Sequence, residues 1–103
     1  MRIVWSFLAD NAFHNICDFI YVRFGYKAKN DYVMEVDTTI HIVAEHPNIG
    51  KPELELARDG SVRSITIRKL SKMIYFVEDD ILYIADVWDT RQDPEALAAR
   101  FAE

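Results

Sequence analysis

Between Lys69 and Pro94 the chain reads KLSKMIYFVEDDILYIADVWDTRQDP, two long apolar segments joined by a tight acidic turn at Asp79-Asp80. Each segment can be read as a strand, and each is apolar on both sides. In the first, Met73, Tyr75 and Val77 point one way and Ile74 and Phe76 the other. In the second, Ile81, Tyr83, Ala85 and Val87 oppose Leu82, Ile84 and Trp88. A sheet with one face in water shows apolar–polar alternation. A hairpin without it needs cover on both faces. One layer of helices supplies one cover, so the second cover bears on function.

The segments before this hairpin supply the helical layer. Residues 2–6, RIVWS, read as a short strand, with Ser6 placed to cap the helix that follows. From Phe7 to Phe24, Leu8, Ala12, Ile16, Ile20 and Phe24 recur every fourth position, flanked by Phe13 and Cys17. That is a helical stripe, and Gly25 stands where a glycine would end it. A second helix is expected from Tyr26 to Glu45 on the stripe Tyr32, Val36, Ile40 and Val43, with Pro47 blocking its continuation. Helices this close in sequence form an antiparallel hairpin. HPNIGKPE then reads as loop, Leu54 to Ala57 as a possible short strand, and Val62 to Lys69 as a strand. Pro94, after Asp93 as its cap, suits the start of a last short helix. The expected fold is α+β: an N-terminal strand and a helical hairpin packed on a mainly antiparallel four- or five-stranded sheet, in one domain spanning residues 1–103.

Composition narrows the setting. At 103 residues with half of them hydrophobic, the chain can bury a cooperative core. Cys17 is alone, so no intrachain disulfide forms and a reducing compartment fits. Neither a signal peptide nor a membrane-spanning apolar run is legible, which gives a cytoplasmic expectation with no membrane partner. The net charge of -5 argues against sequence-blind nucleic-acid binding. The charge is uneven, however: Arg58, Arg63, Arg68, Lys69 and Lys72 fall in one window opposed only by Asp59. Such a strip is either a solvated strand edge kept from aggregating or a contact for something anionic.

The wording of the C-terminal motif resembles the RelE/ParE superfamily of toxins from type II toxin–antitoxin modules, which include plasmid stabilisation proteins. The likeness spans nearly the whole chain. Trp5-Ser6 is similar to the end of the family's opening strand, and EHPNIGKP to its passage from helix to loop. Ser71-Lys72-Met73-Ile74-Tyr75, Asp79-Asp80 and Asp89-Thr90-Arg91 stand where the family often has a tyrosine–arginine strand, an acidic turn, and a histidine or aspartate followed by an arginine. The resemblance implies a growth-inhibiting toxin neutralised by a cognate antitoxin, a segment of which folds over the toxin. Ile74, Phe76 and Trp88 are the partner-binding candidates on that reading. The antitoxin is thus one source of the second cover, beside the last helix or a second copy of the chain in a homodimer.

The family divides by target. ParE-like members poison DNA gyrase; RelE-like members are endoribonucleases that cut messenger RNA on the ribosome. For a ribonuclease, Lys72 and Arg91 would be the catalytic cations, with Arg63, Arg68 and Lys69 as further target- or phosphate-binding residues. Lysine is a point charge rather than a phosphate fork. His14, His41 and His46 all fall on or beside the helices, and no tyrosine or histidine follows Pro94. These departures favour the ParE-like reading. A third possibility is a non-toxic interaction module on the same fold.

Each candidate has a plainer reading. Arg91 can pair with Asp89, Asp93 or Glu95, and Arg63 can snorkel at the sheet edge. Asp89 and Asp93 suit caps and turns. Tyr75 and Tyr83 suit core positions whose hydroxyls reach the rim, and Trp88 suits burial as well as an exposed anchor. His14 and Cys17 are two potential ligands, too few for a metal site, and Cys17 lies in the apolar stripe. Three glycines leave no phosphate-cradling loop, so neither metal nor cofactor is expected.

Overall fold

The structure is a computed structural model whose described residues are 1–90; Arg91 and the helix expected from Pro94 lie outside them. The elements are β1 (Arg2–Trp5), α1 (Phe7–Phe24), α2 (Tyr26–Glu45), β2 (Lys51–Pro52), β3 (Val62–Ile67), β4 (Ser71–Glu78) and β5 (Ile81–Asp89). The sheet has five strands in the order β1-β5-β4-β3-β2. Its successive pairs from β2 to β5 are antiparallel, whereas β1 lies parallel to β5, with Ile3 opposite Leu82 and Trp5 opposite Ile84. The short edge strand β2 carries Lys51 and Pro52, residues that discourage further pairing.

Both helices begin and end at the expected residues. The Ser6 hydroxyl accepts from the Ala9 amide at 2.9 Å and donates to the Ala85 carbonyl at 2.8 Å, so one side chain caps α1 and ties it to β5. Gly25 separates the helices at φ 93°, a left-handed conformation that favours glycine. The α2 stripe of Tyr32, Val36, Ile40 and Val43 is buried as expected. The α1 stripe is buried only in its middle, at Ile16 and Ile20. Leu8 is 44% exposed and Phe24 69%, and the buried residues are Ala9, Ile16, Cys17 and Ile20. A strict every-fourth-residue row drifts by about 40° per step around a helix of 3.6 residues per turn, so its two ends leave the core face.

The helices cover one face of the sheet. Ile67, Met73, Tyr75, Leu82, Ile84 and Val87 form a single cluster with the buried residues of α1 and α2. The rings of Trp5, Phe13 and Tyr32 link β1, α1 and α2 at centroid separations of 5.3 and 6.0 Å. The Tyr32 hydroxyl meets the Ser71 hydroxyl at 2.8 Å, and burial pushes its pKa up to about 12, the Ser71 bond opposing the rise. Burial likewise raises the Cys17 thiol, whose side chain belongs to the core.

The alternation read along β5 is corrected by a β-bulge. Ile74 pairs with Asp86 while Tyr75 pairs with Ile84, so Ala85 is an extra residue on β5. Beyond it every side chain changes face. Val87 joins Leu82 and Ile84 under the helices, and Trp88 turns to the opposite face with Ile74. The short strand expected at Leu54–Ala57 is instead a turn, closed by Leu56 and Ala57 amides on the Glu53 carbonyl. Strand β3 ends at Ile67 rather than Lys69, because Arg68 and Lys69 adopt φ of 53° and 56° and turn the chain into β4. The expected acidic turn is present, with Asp79 and Asp80 at φ 53° and 60°.

Candidate functional site

The face opposite the helices presents Lys72, Ile74 and Phe76 from β4 and Tyr83, Asp86 and Trp88 from β5. Phe76 stacks on its cross-strand partner Tyr83 at 5.1 Å between ring centroids. Ile74, Asp86 and Trp88 are buried, and Phe76 is half-buried. Of the three candidate partner-binding residues, then, two do not form an open surface.

The window of basic residues does not form one surface. Alternation along β3 puts Arg63 with Ile65 and Ile67 on the helix side, Lys72 occupies the other side, and Arg68 and Lys69 make the turn between β3 and β4. Their partners differ as much as their positions. Arg63 donates from one guanidinium nitrogen to the carbonyls of Asn48 at 3.2 Å and Gly50 at 2.7 Å. Tyr75 reinforces the same loop, its hydroxyl donating to the Pro47 carbonyl at 2.8 Å and accepting from the Gly50 amide at 2.9 Å. Burial raises the Tyr75 pKa, with the Gly50 amide and the Arg63 charge opposing it. Arg63 is thus a clamp on the passage between α2 and β2, close to the edge role read from its alternation.

Lys72 pairs with Glu53 at 3.1 Å, the two side chains being 27% and 16% exposed. Glu53 also accepts from the Ser64 hydroxyl at 2.5 Å. Burial raises the Glu53 carboxyl, but the Ser64 and Lys72 hydrogen bonds and the Lys72 and Lys51 charges outweigh it, and the net shift is downward. The cation at the sheet position of interest is therefore matched by an ionised carboxylate. At the other end of β3, Arg68 pairs with Glu35 on α2, with side chains 50% and 38% exposed. Thr90 ties the end of β5 to this turn: its hydroxyl donates to the Lys69 carbonyl at 2.6 Å and its amide to the Leu70 carbonyl at 3.0 Å. The structure thus brings Thr90, the residue before Arg91, beside Lys69.

Neither Glu53 nor the structural role of Gly50 is legible in the sequence. No local pattern marks Glu53, which meets Lys72 only because β2 pairs with β3. Gly50 carried a signal only as the glycine between two prolines. A β-carbon there would lie 2.4 Å from the Tyr75 hydroxyl and 2.7 Å from the Ser64 carbonyl oxygen. All three histidines sit on the helical hairpin or at its end. Among the described residues no group of three or more histidine, cysteine or acidic side chains is placed to hold a metal, and no helix is long and apolar enough to cross a membrane.

A helical hairpin laid on a five-stranded sheet whose β1 runs parallel to β5 defines a small α+β protein. The profile of the ParE toxin of type II toxin–antitoxin systems matches residues 3–94, and the chain belongs to that family. No curated protein sequence matches it. Among solved structures it is similar to a chain of the chromosomal ParDE toxin–antitoxin system from P. aeruginosa, with a TM-score of 0.70 and 16% identity over 86% of this chain and 95% of that one. At that identity the likeness speaks for the fold.

Proposed function

We propose that this chain inhibits growth as a ParE-like toxin acting on DNA gyrase rather than as a nuclease, and that a cognate antitoxin neutralises it. The observation that carries the reading is the Lys72–Glu53 pair. A ribonuclease of this fold needs sheet cations turned to the scissile phosphate to stabilise its transition state. Here Lys72 is neutralised by a half-buried carboxylate and Arg63 is spent on loop carbonyls. None of the three histidines lies on a strand of the sheet. Membership of the ParE family supports the same direction. The antitoxin follows from the module to which such toxins belong, and its most direct task is to hold the toxin off its target.

The test is induced expression in a bacterium, followed by growth, DNA-damage response and transcript ends, with purified gyrase assayed beside it. The expected outcome is growth arrest with a DNA-damage response, and loss of gyrase supercoiling activity on adding the protein. Arrest with new codon-positioned transcript ends and unaffected gyrase would replace this reading with the ribonuclease. Normal growth with abundant folded protein would replace it with a non-toxic module.

A further inference from the structure

We infer that residues 91–103 supply the second cover of the sheet, docking on the face opposite the helices over Ile74 and Trp88. The inference holds whatever the target of the protein. Ile74 is 0% exposed and Trp88 4%, yet neither belongs to the cluster that the helices form with Met73, Tyr75, Leu82, Ile84 and Val87. On their face Lys72 pairs with Trp88, Ile74 with Asp86 and Phe76 with Tyr83 across β4 and β5, and Ser64 of β3 is the other neighbour of Ile74. Ser64 and Asp86 are buried as well. A bare sheet face leaves the side chains at its middle in contact with water, and this one is dry from β3 across to β5. Among the described residues both helices lie on the opposite face. The loop after β2 reaches this face through Glu53, but Leu54 beside it is exposed, so the loop does not close it. The burial is that of a single chain, so no second copy is required.

The place where the chain leaves the sheet and the length that follows both fit this occupant. Thr90 is held at the end of β5 by its bond to the Leu70 carbonyl, two residues beyond Trp88. Thirteen residues follow, RQDPEALAARFAE. With Asp93 as cap and Pro94 as first residue, residues 94–103 suit a helix of about 15 Å at 1.5 Å per residue. That length crosses about three strands spaced ~4.8 Å apart, enough to pass from β5 over β4 to β3. On helical spacing Leu97 and Phe101 share one side, and Glu95 and Glu103 take the other. Arg100 flanks the apolar side, so the same side brings a cation to a face whose centre holds the Asp86 carboxylate.

The same exit also opens toward a hollow of about 380 Å³ on the helix side, with Phe19, Ile20, Phe24 and Leu70 among its walls and Arg68 at its rim. Exposure decides between the two places. Phe24 stands mostly in water, whereas Ile74 and Trp88 are sealed. A partner protein that uses Ile74 or Trp88 therefore meets them beneath the chain's own last residues and has to displace these first.

The test is a nuclear Overhauser measurement on the full chain, labelled with ¹³C at methyl groups and aromatic rings. Contacts from the Leu97 methyls and the Phe101 ring to the Ile74 methyls and the Trp88 indole are expected. In the double variant Leu97→Asp with Phe101→Asp these contacts should vanish. A soluble gadolinium chelate should then relax the Ile74 methyls at least threefold faster than in wild type, while the Leu82 and Val87 methyls on the helix side keep their shifts. The wild-type contacts carry the test even if that variant fails to fold. Contacts of Leu97 and Phe101 with Phe24 and Leu70 instead, or no contact with the sheet, would overturn the proposal. So would contacts between labelled and unlabelled chains in a mixed sample, which would make a second copy the cover. A folded variant whose Ile74 methyls relax no faster would overturn it too.

Discussion

Two ion pairs join the sheet to neighbouring elements, and they differ in kind. Lys72–Glu53 is largely shielded and has a third member, the Ser64 hydroxyl. Arg68–Glu35 spans from the β3–β4 turn to α2 with both side chains more exposed. On the other face of the sheet Tyr75, Gly50 and Arg63 fix the passage from α2 to β2, so polar contacts on both faces hold this edge of the sheet. The second pair sits at the edge of an apolar hollow. Charge along the sequence treats Lys72, Arg63 and Arg68 alike, yet the first two are held in shielded or loop-clamping contacts and the third in an exposed one. Breaking the first set should destabilise the protein by measurable amounts, whereas breaking the exposed pair should change stability little.

The largest effect is expected at Gly50. An alanine β-carbon there collides with the Tyr75 hydroxyl and the Ser64 carbonyl, so Gly50→Ala should destabilise the fold by about 3 kcal/mol in urea unfolding. Stability within about 0.5 kcal/mol of wild type would show that the loop is not locked. Tyr75→Phe comes next: it leaves the Gly50 amide without its hydroxyl partner, at an expected cost of about 2 kcal/mol.

The Lys72–Glu53 pair can be read by pH. Glu53 titrates below its ordinary value when folded, so its contribution is full above the ordinary glutamate pKa and is lost as pH falls through the lower folded value. Glu53→Gln should therefore flatten the acid limb of the stability profile, and an unchanged limb would show that the pair is not formed in solution. In a double-mutant cycle, Lys72→Met with Glu53→Gln should return a coupling of about 1 kcal/mol, while Arg68→Gln with Glu35→Gln should return under about 0.5 kcal/mol. Equal couplings would erase the distinction between the two pairs. An effect of opposite sign is expected of Lys69→Gly, which relieves a positive φ and should stabilise the chain by about 0.5–1 kcal/mol.

The helical hairpin was legible to the residue, because Ser6, Gly25 and Pro47 punctuate it chemically. So were the acidic turn and the need for cover on both sheet faces. Which face each of Val87 and Trp88 takes was less so, because one extra residue at Ala85 reverses a period-2 pattern and no side chain there announces it. The parallel pairing of β1 with β5 spans nearly the whole chain and leaves no local mark. Lys72 stood out by its place in the motif, but its partner Glu53 did not, since a loop carboxylate acquires meaning only through strand pairing. The hollow beside Phe24 was hidden for a related reason: Phe24 ends a row of apolar residues and was read as core, although the row's drift around the helix leaves it outside.

The most direct test of the account removes the shielded charge pair without leaving either half alone. Lys72→Met combined with Glu53→Gln should be expressed beside wild type at matched soluble levels, with growth and transcript ends recorded. The double variant is expected to arrest growth as wild type does, because Lys72 serves the fold and not phosphate chemistry. A folded double variant that grows normally, together with codon-positioned transcript ends found only in the wild-type culture, would contradict it.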